Sequence, residues 1–296
     1  MAEPKSETKA PKKGAKTETA VAVKPPAGAL VPSYGEQFEG AGWENTDKGD
    51  FQIPFLNQLQ ALSPQCEDGG ERQVEGAKPG MFFNSVTLDL YDGPVHLLIA
   101  LTKHSFVEWR PQDSGGGFVA EHDVLSDVVA KAKEVAGSTE NPRDLKTPAG
   151  NELVETYQVF ALLLDSPDAT EFKDQVVISF SKTKIKRYKQ IMTRLRTFKG
   201  SNRIPLFAHR LTMTSTNEKN AAGKPFKNVQ LTPAVGGDVG QSLLAADSPL
   251  LELANGLREA IVGGVAKANF DSAAAPTSGG GKDEEADEVF GEGKKA

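Results

Sequence analysis

Ten lysines and arginines fall between Lys182 and Asn217, a stretch of 36 residues with no Asp or Glu. They are Lys182, Lys184, Lys186, Arg187, Lys189, Arg194, Arg196, Lys199, Arg203 and Arg210. The whole chain has 34 Lys and Arg against 40 Asp and Glu, so the residues outside the stretch carry 24 against 40, a net of −16. An acidic chain that gathers its positive charge in one place points to an anionic partner, and nucleic acid is the first candidate. A helix that merely faces solvent interleaves both signs for i,i+4 pairing, which this stretch does not do.

Binding a single strand also needs aromatic faces, because each stacked base contributes about 1–3 kcal/mol. Trp109, followed by Arg110 and the glycines at 115–117, is one candidate, and Tyr157 is another. A separate constellation lies near the end of the sequence. Asp283, Glu284, Glu285, Asp287 and Glu288 precede Phe290, and such an acidic, aromatic tail can occupy a protein's own basic groove. Released by DNA, it can recruit basic partner proteins.

Other chemistry leaves little trace. His96, His104, His122 and His209 are scattered without zinc-site spacing, and there is no GxSxG element. Cys66 is the single cysteine, which rules out an intrachain disulfide and a multi-cysteine metal cluster. The triple glycine lacks the Lys-Ser/Thr of a phosphate-binding loop. No catalytic constellation and no cofactor are implied. No apolar run approaches the roughly 18 residues that span a bilayer, and the N-terminus has no signal-peptide core. The expectation is a soluble protein of the cytoplasm or its host-cell equivalent.

The elements that must position the basic residues follow from periodicity. Ile185, Tyr188, Ile191, Met192, Leu195 and Phe198 recur on one helical face, with Ser181 as N-cap and Gly200 as stop. Lys182, Lys186, Lys189 and Arg196 then point away from that face, and Arg187 and Arg194 flank it. Ile204–Thr214 reads as a strand. Before the helix, Val154–Leu164 reads as a central strand buried on both faces and Gln175–Phe180 as another. Met81–Tyr91 and Pro94–Leu101 read as strands joined by a hairpin turn at Asp92-Gly93, with Ser105–Trp109 beyond. Phe55–Leu62 and Val124–Ala136 read as helices, and Phe226–Thr232 as the last strand. A helix starts at Ser248-Pro249, with Leu250, Leu253, Leu257 and Ile261 on one face.

The fold class expected is therefore mainly β with inserted helices (α+β), an antiparallel OB-like barrel or sandwich. Residues 1–33 hold six Lys, three Glu and five Pro, and read as a disordered basic arm. Residues 34–235 form the β-rich core, 236–270 a linker and C-terminal helix, and 271–296 a disordered acidic tail.

The segments DFQIPFLNQLQALSPQ, GAKPGMFFNSVTLDLYDGP, VEWRPQDSGGGFV, GNELVETYQVFALLL and KTKIKRYKQIMTRLR resemble a family of tailed-bacteriophage proteins. Genes of that family tend to lie with replication genes, and the resemblance covers roughly residues 40–232. The overall plan is also similar to phage single-stranded DNA-binding proteins, with an OB-fold core and an acidic tail. The resemblance implies a non-enzymatic single-stranded DNA-binding protein of phage replication or recombination. Its basic residues would contact phosphates, and the tail would meet replication proteins. A virion assembly protein that docks a partner on the basic stretch, and a strand-annealing mediator that forms homo-oligomers, are the alternatives.

Overall fold

In a computed structural model of the chain, the described residues are 42, 52–138, 144–220, 223–268 and 270. The secondary-structure elements of the described residues belong to one of the chain's two compact units, residues 47–296. The basic arm expected at 1–33 and the acidic tail with Asp283, Glu284, Glu285, Asp287, Glu288 and Phe290 lie outside the described residues.

The chain runs through β1 (Gln52–Ile53), β2 (Leu56–Gln58), β3 (Phe82–Asn84), β4 (Leu90–Tyr91) and the long β5 (Val95–Trp109). It continues through β6 (Phe118–Asp123), α1 (Asp127–Gly137), β7 (Glu152–Leu164), β8 (Asp174–Ser181) and α2 (Lys184–Thr197). Last come β9 (Arg210–Lys219), β10 (Pro225–Pro233), α3 (Pro249–Val262) and β11 (Lys267–Ala268).

Six strands form the main sheet, five in the order β10-β9-β5-β7-β8 and β6 paired to β5 off that path, and every pairing is antiparallel. β7 lines one side of β5 along nearly its whole length. The other side is shared, with β9 on Val95–Leu98 and β6 on Ser105–Trp109. Between Ile99 and Leu101 the register shifts by one residue, which leaves Ala100 as a bulge that bends the strand. Smaller sheets pair β2-β3-β4 and, in parallel, β1-β11.

No ladder among the described residues joins β8 to β10. The sheet is open, and the closed OB-like barrel that the sequence offered as one form is not observed. A segment from Ile53 to Gln60 reaches both edges instead. At β8, Phe55 bridges Val177, whose N–H donates to Pro54 O at 2.8 Å. At β10, Gln58 Nε2 donates to Asn228 O at 2.8 Å, while Gln60 exchanges two hydrogen bonds with the Lys227 backbone.

Alternation along the strands sends side chains to two separate cores. On one face Leu97, Ile99, Val159, Ala161 and Phe180 meet Tyr188, Ile191 and Leu195 of α2. On the other, Leu98, Ala100, Phe160 and Leu162 meet Leu250, Ala254 and Leu257 of α3. Further along the α2 face, α1 packs Val129 and Ala132 on Phe106 and Leu153.

Several expectations change. Phe55–Leu62 is not a helix: it contains β2, because its backbone pairs with β3. Met81–Tyr91 is broken into β3 and β4 by a turn built on Asn84, whose Oδ1 accepts from Val86 N and Thr87 N. Asp92-Gly93 joins two different sheets rather than closing a hairpin between adjacent strands. The glycine loop does close a hairpin, with Arg110 N donating to Gly117 O at 2.9 Å, and its return strand β6 was not foreseen. α1 begins later than expected, at Asp127, with Ser126 as its cap. It buries Val129, Ala132 and Ala136 and leaves Val135 exposed. Leu206–Ala208 form a turn of 3-10 helix, and the strand expected from Ile204 begins only at Arg210, as β9.

Candidate nucleic-acid interface

α2 follows β8 almost without a linker. Ser181 ends the strand rather than capping the helix, Lys182 makes the turn at a positive φ of 52°, and Thr183 stands at the N-cap. The helix lies on the sheet through Tyr188, Ile191 and Leu195, as the periodicity requires.

That docking sorts the ten cations. Lys186, Lys189 and Arg196 are exposed on the outer side of α2, and Lys199 and Arg203 are exposed in the connection that follows. These five make no ion pair among the described residues. Lys186 and Arg196 are ten residues apart, about 15 Å along the helix. Lys182 is half-buried.

The remaining four, Arg187, Arg194, Arg210 and Lys184, have internal partners or environments. Arg187 pairs with Glu218 of β9. Burial alone would raise the Glu218 carboxyl, but hydrogen bonds from Asn228 and Arg187 outweigh it and hold it below the ordinary range. Arg194 donates to Gly237 O. Arg210 sends Nη1 to Pro167 O at 2.8 Å and Nη2 to Leu243 O at 3.3 Å, tying loops together. Lys184 sits one turn before Tyr188, on the buried face. It lines a cavity of about 20 Å3 together with Leu56, Gln58, Phe82, Ser179 and Met213, and burial lowers its amine to about 8.

The two stacking candidates also separate. Trp109 is a core residue, 7% exposed, packed with Val107 and Val154 and edge-on to Phe118 at 6.2 Å. It is not the exposed indole expected from its Arg110 neighbour. Arg110 itself is exposed and lines an open cleft of about 670 Å3 with Lys146, Asn151 and Glu152. Below that cleft, Glu108 is buried among His122, Asn151 and Thr147 at 2.6, 2.6 and 3.2 Å. Burial would raise its carboxyl, and the bonds from Asn151, His122 and Thr147 bring it below its ordinary value.

Tyr157 is half-buried beside α2 and belongs to a row of rings. It stacks on His104 of β5 at 4.1 Å and 8°, and on Tyr188 at 4.6 Å and 29°. Burial and the neighbouring Glu155 push its hydroxyl up to about 12. Lys189 lies 5.5 Å from its ring, and across the row Lys133 of α1 lies 4.8 Å from the Phe106 ring. Glu155 joins the row through Oε1, which accepts from His104 Nε2 at 2.9 Å and Tyr157 Oη at 3.4 Å. His104, Glu155 and Lys133 were not singled out from the sequence. The signal for His104 is its position directly opposite Tyr157, which needs the β5–β7 register.

Among the described residues these elements define a mainly β protein of open sheets with three α-helices, bearing a basic helix and an aromatic row on one face of the main sheet. Among the described residues no helix is long and apolar enough to cross a membrane. The chain belongs to the Pam3 phage gp34-like protein family, whose model matches residues 26–267, and so to a bacteriophage protein family. No curated protein and no solved structure matches it.

Proposed function

We propose that this chain is a non-enzymatic single-stranded DNA-binding protein of phage DNA replication or recombination, working in the host-cell cytoplasm. The observation behind the reading is the outer side of α2 and its continuation: Lys186, Lys189, Arg196, Lys199 and Arg203 are exposed, free of ion pairs among the described residues, and belong to a stretch with no acid. Arg187 and Arg194 orient the helix rather than extend the track. Neutralising several phosphates makes binding fall steeply with salt. In this reading the curved sheet is an OB-like surface whose edges are spanned by residues 53–60, and the acidic tail meets replication proteins.

The experiment is fluorescence anisotropy with a labelled oligo-dT and a duplex of equal length, at low and moderate salt. Tight, salt-sensitive binding to the single strand supports the reading, and no binding at low salt removes it. A second reading, docking in virion assembly, draws on the turn between β3 and β4, where Val86 and Leu88 are each 54% exposed. It predicts no affinity for oligonucleotides and a fixed stoichiometry in purified particles.

A further inference from the structure

A carboxylate stands among these rings and cations: Glu155 lies opposite Phe106 in the β5–β7 register, beside rings that Lys133 of α1 and Lys189 of α2 approach to 4.8 and 5.5 Å. Its geometry is specific. Both of its hydrogen bonds fall on Oε1, from His104 Nε2 at 2.9 Å and Tyr157 Oη at 3.4 Å. Oε2 makes no hydrogen bond among the described residues, and the side chain is 38% exposed. One oxygen is thus anchored and the other is left as an acceptor facing solvent. An ionised carboxylate can only accept.

The neighbours fit a planar ligand. His104, Tyr157 and Tyr188 form a continuous stack, in which Tyr157 has a ring on each side. His104 also neighbours the tilted Phe106 ring at 6.2 Å, and 35% of its side chain is exposed. A base laid against the exposed part of His104 would meet Glu155 Oε2 at its edge, with Lys133 and Lys189 near enough to take the flanking phosphates.

We infer that this cluster is a base-selective subsite, in which Glu155 accepts a hydrogen bond from the exocyclic amino group of a nucleobase. The inference rests on the single-strand reading above and adds a preference to it. Cytosine offers its N4 amino group to a carboxylate. Thymine has no amino group, and its O4 and O2 carbonyls repel the carboxylate on both sides of N3–H. Oligo-dC is therefore bound more tightly than oligo-dT, by about tenfold for one hydrogen bond to a charged acceptor.

The test is anisotropy with 12-mers of dC and dT at pH 7.5, using the full chain and its Glu155→Ala variant, each checked for native circular dichroism. The expected result is a dC preference in the parent chain that falls towards one in Glu155→Ala. Lys186→Glu should weaken both oligonucleotides and keep their ratio. Equal affinity for dC and dT in the parent chain, or a preference that survives Glu155→Ala, overturns the subsite and leaves the single-strand reading standing. No binding to either oligonucleotide overturns both.

Discussion

Arg187 of α2 is paired with Glu218 of β9, and Asn228 of β10 completes the contact, its Nδ2 donating to Glu218 Oε2 at 2.8 Å. One basic residue of α2 is thereby spent on fixing how the helix lies across two strands, while Lys186 and Lys189 beside it stay free. The two kinds of residue should respond differently to substitution. Lys186→Glu with Lys189→Glu should lower single-strand affinity by tenfold or more at low salt and flatten the salt dependence, with little change in thermal stability. Arg187→Ala should destabilise the fold by about 1 kcal/mol, a value held down by its partial exposure. Paired thermal melts and salt titrations distinguish the two outcomes.

Trp109 has the packing of a core side chain. Trp109→Ala should cost about 3–5 kcal/mol of stability. Single-strand affinity per folded molecule should be unchanged, because the indole presents no free face. Urea unfolding and anisotropy at low temperature measure the two separately. A large affinity loss with unaltered stability would return Trp109 to the binding surface.

Lys184 gives a pH dependence with a definite sign. An unfolded lysine titrates near about 10.4, whereas burial lowers the folded amine to about 8. Below pH 8 both states hold the proton, and the fold bears the full cost of a desolvated ammonium. Between about 8 and 10.4 the unfolded state binds more protons, so Lys184 makes stability rise with pH. Lys184→Met should raise the melting temperature at pH 7, and its advantage over the parent chain should shrink by pH 9.5. An advantage of constant size would place the amine in water.

Glu108 has the opposite linkage. Its folded carboxyl is held below the ordinary value despite burial, by Asn151, His122 and Thr147. That stability is present above the unfolded value of about 4.3 and is lost as pH falls through the folded one. Glu108→Gln should cost about 1–3 kcal/mol at pH 7 and should flatten the acid limb of the stability curve below pH 4.5. Melts from pH 3 to 7 read both effects.

What the sequence disclosed depends on whether a signal is local. β7, β8 and the apolar face of α2 were legible because their periodicity stays within one element. The same periodicity contained a warning about Lys184, which shares the spacing of Tyr188, Ile191 and Leu195 but was grouped with the other cations. Trp109 was misread because its neighbours Phe118 and Val154 come from other strands. β2 was taken for a helix because the β3 backbone that holds it extended lies more than 20 residues on. His104 and Glu155 depend on strand register, which composition does not reveal. The turn at Asn84 was more accessible, since Asn side chains favour such bends.

The segment from Ile53 to Gln60 bears on how the chain avoids sticking to other chains. Open sheet edges are templates for strand addition. Here two distant edges are covered by one short piece, partly through the amide side chains of Gln58 and Gln60 rather than through a further ladder. Those glutamines lie 170 and 167 positions before their β10 partners. Contacts of such separation carry a loop-closure cost that local ones do not, so neither edge is protected by its own neighbouring sequence. Protection of both edges against strand addition therefore hangs on one short segment, and removal of the residues up to Gln60 takes it away at both edges together.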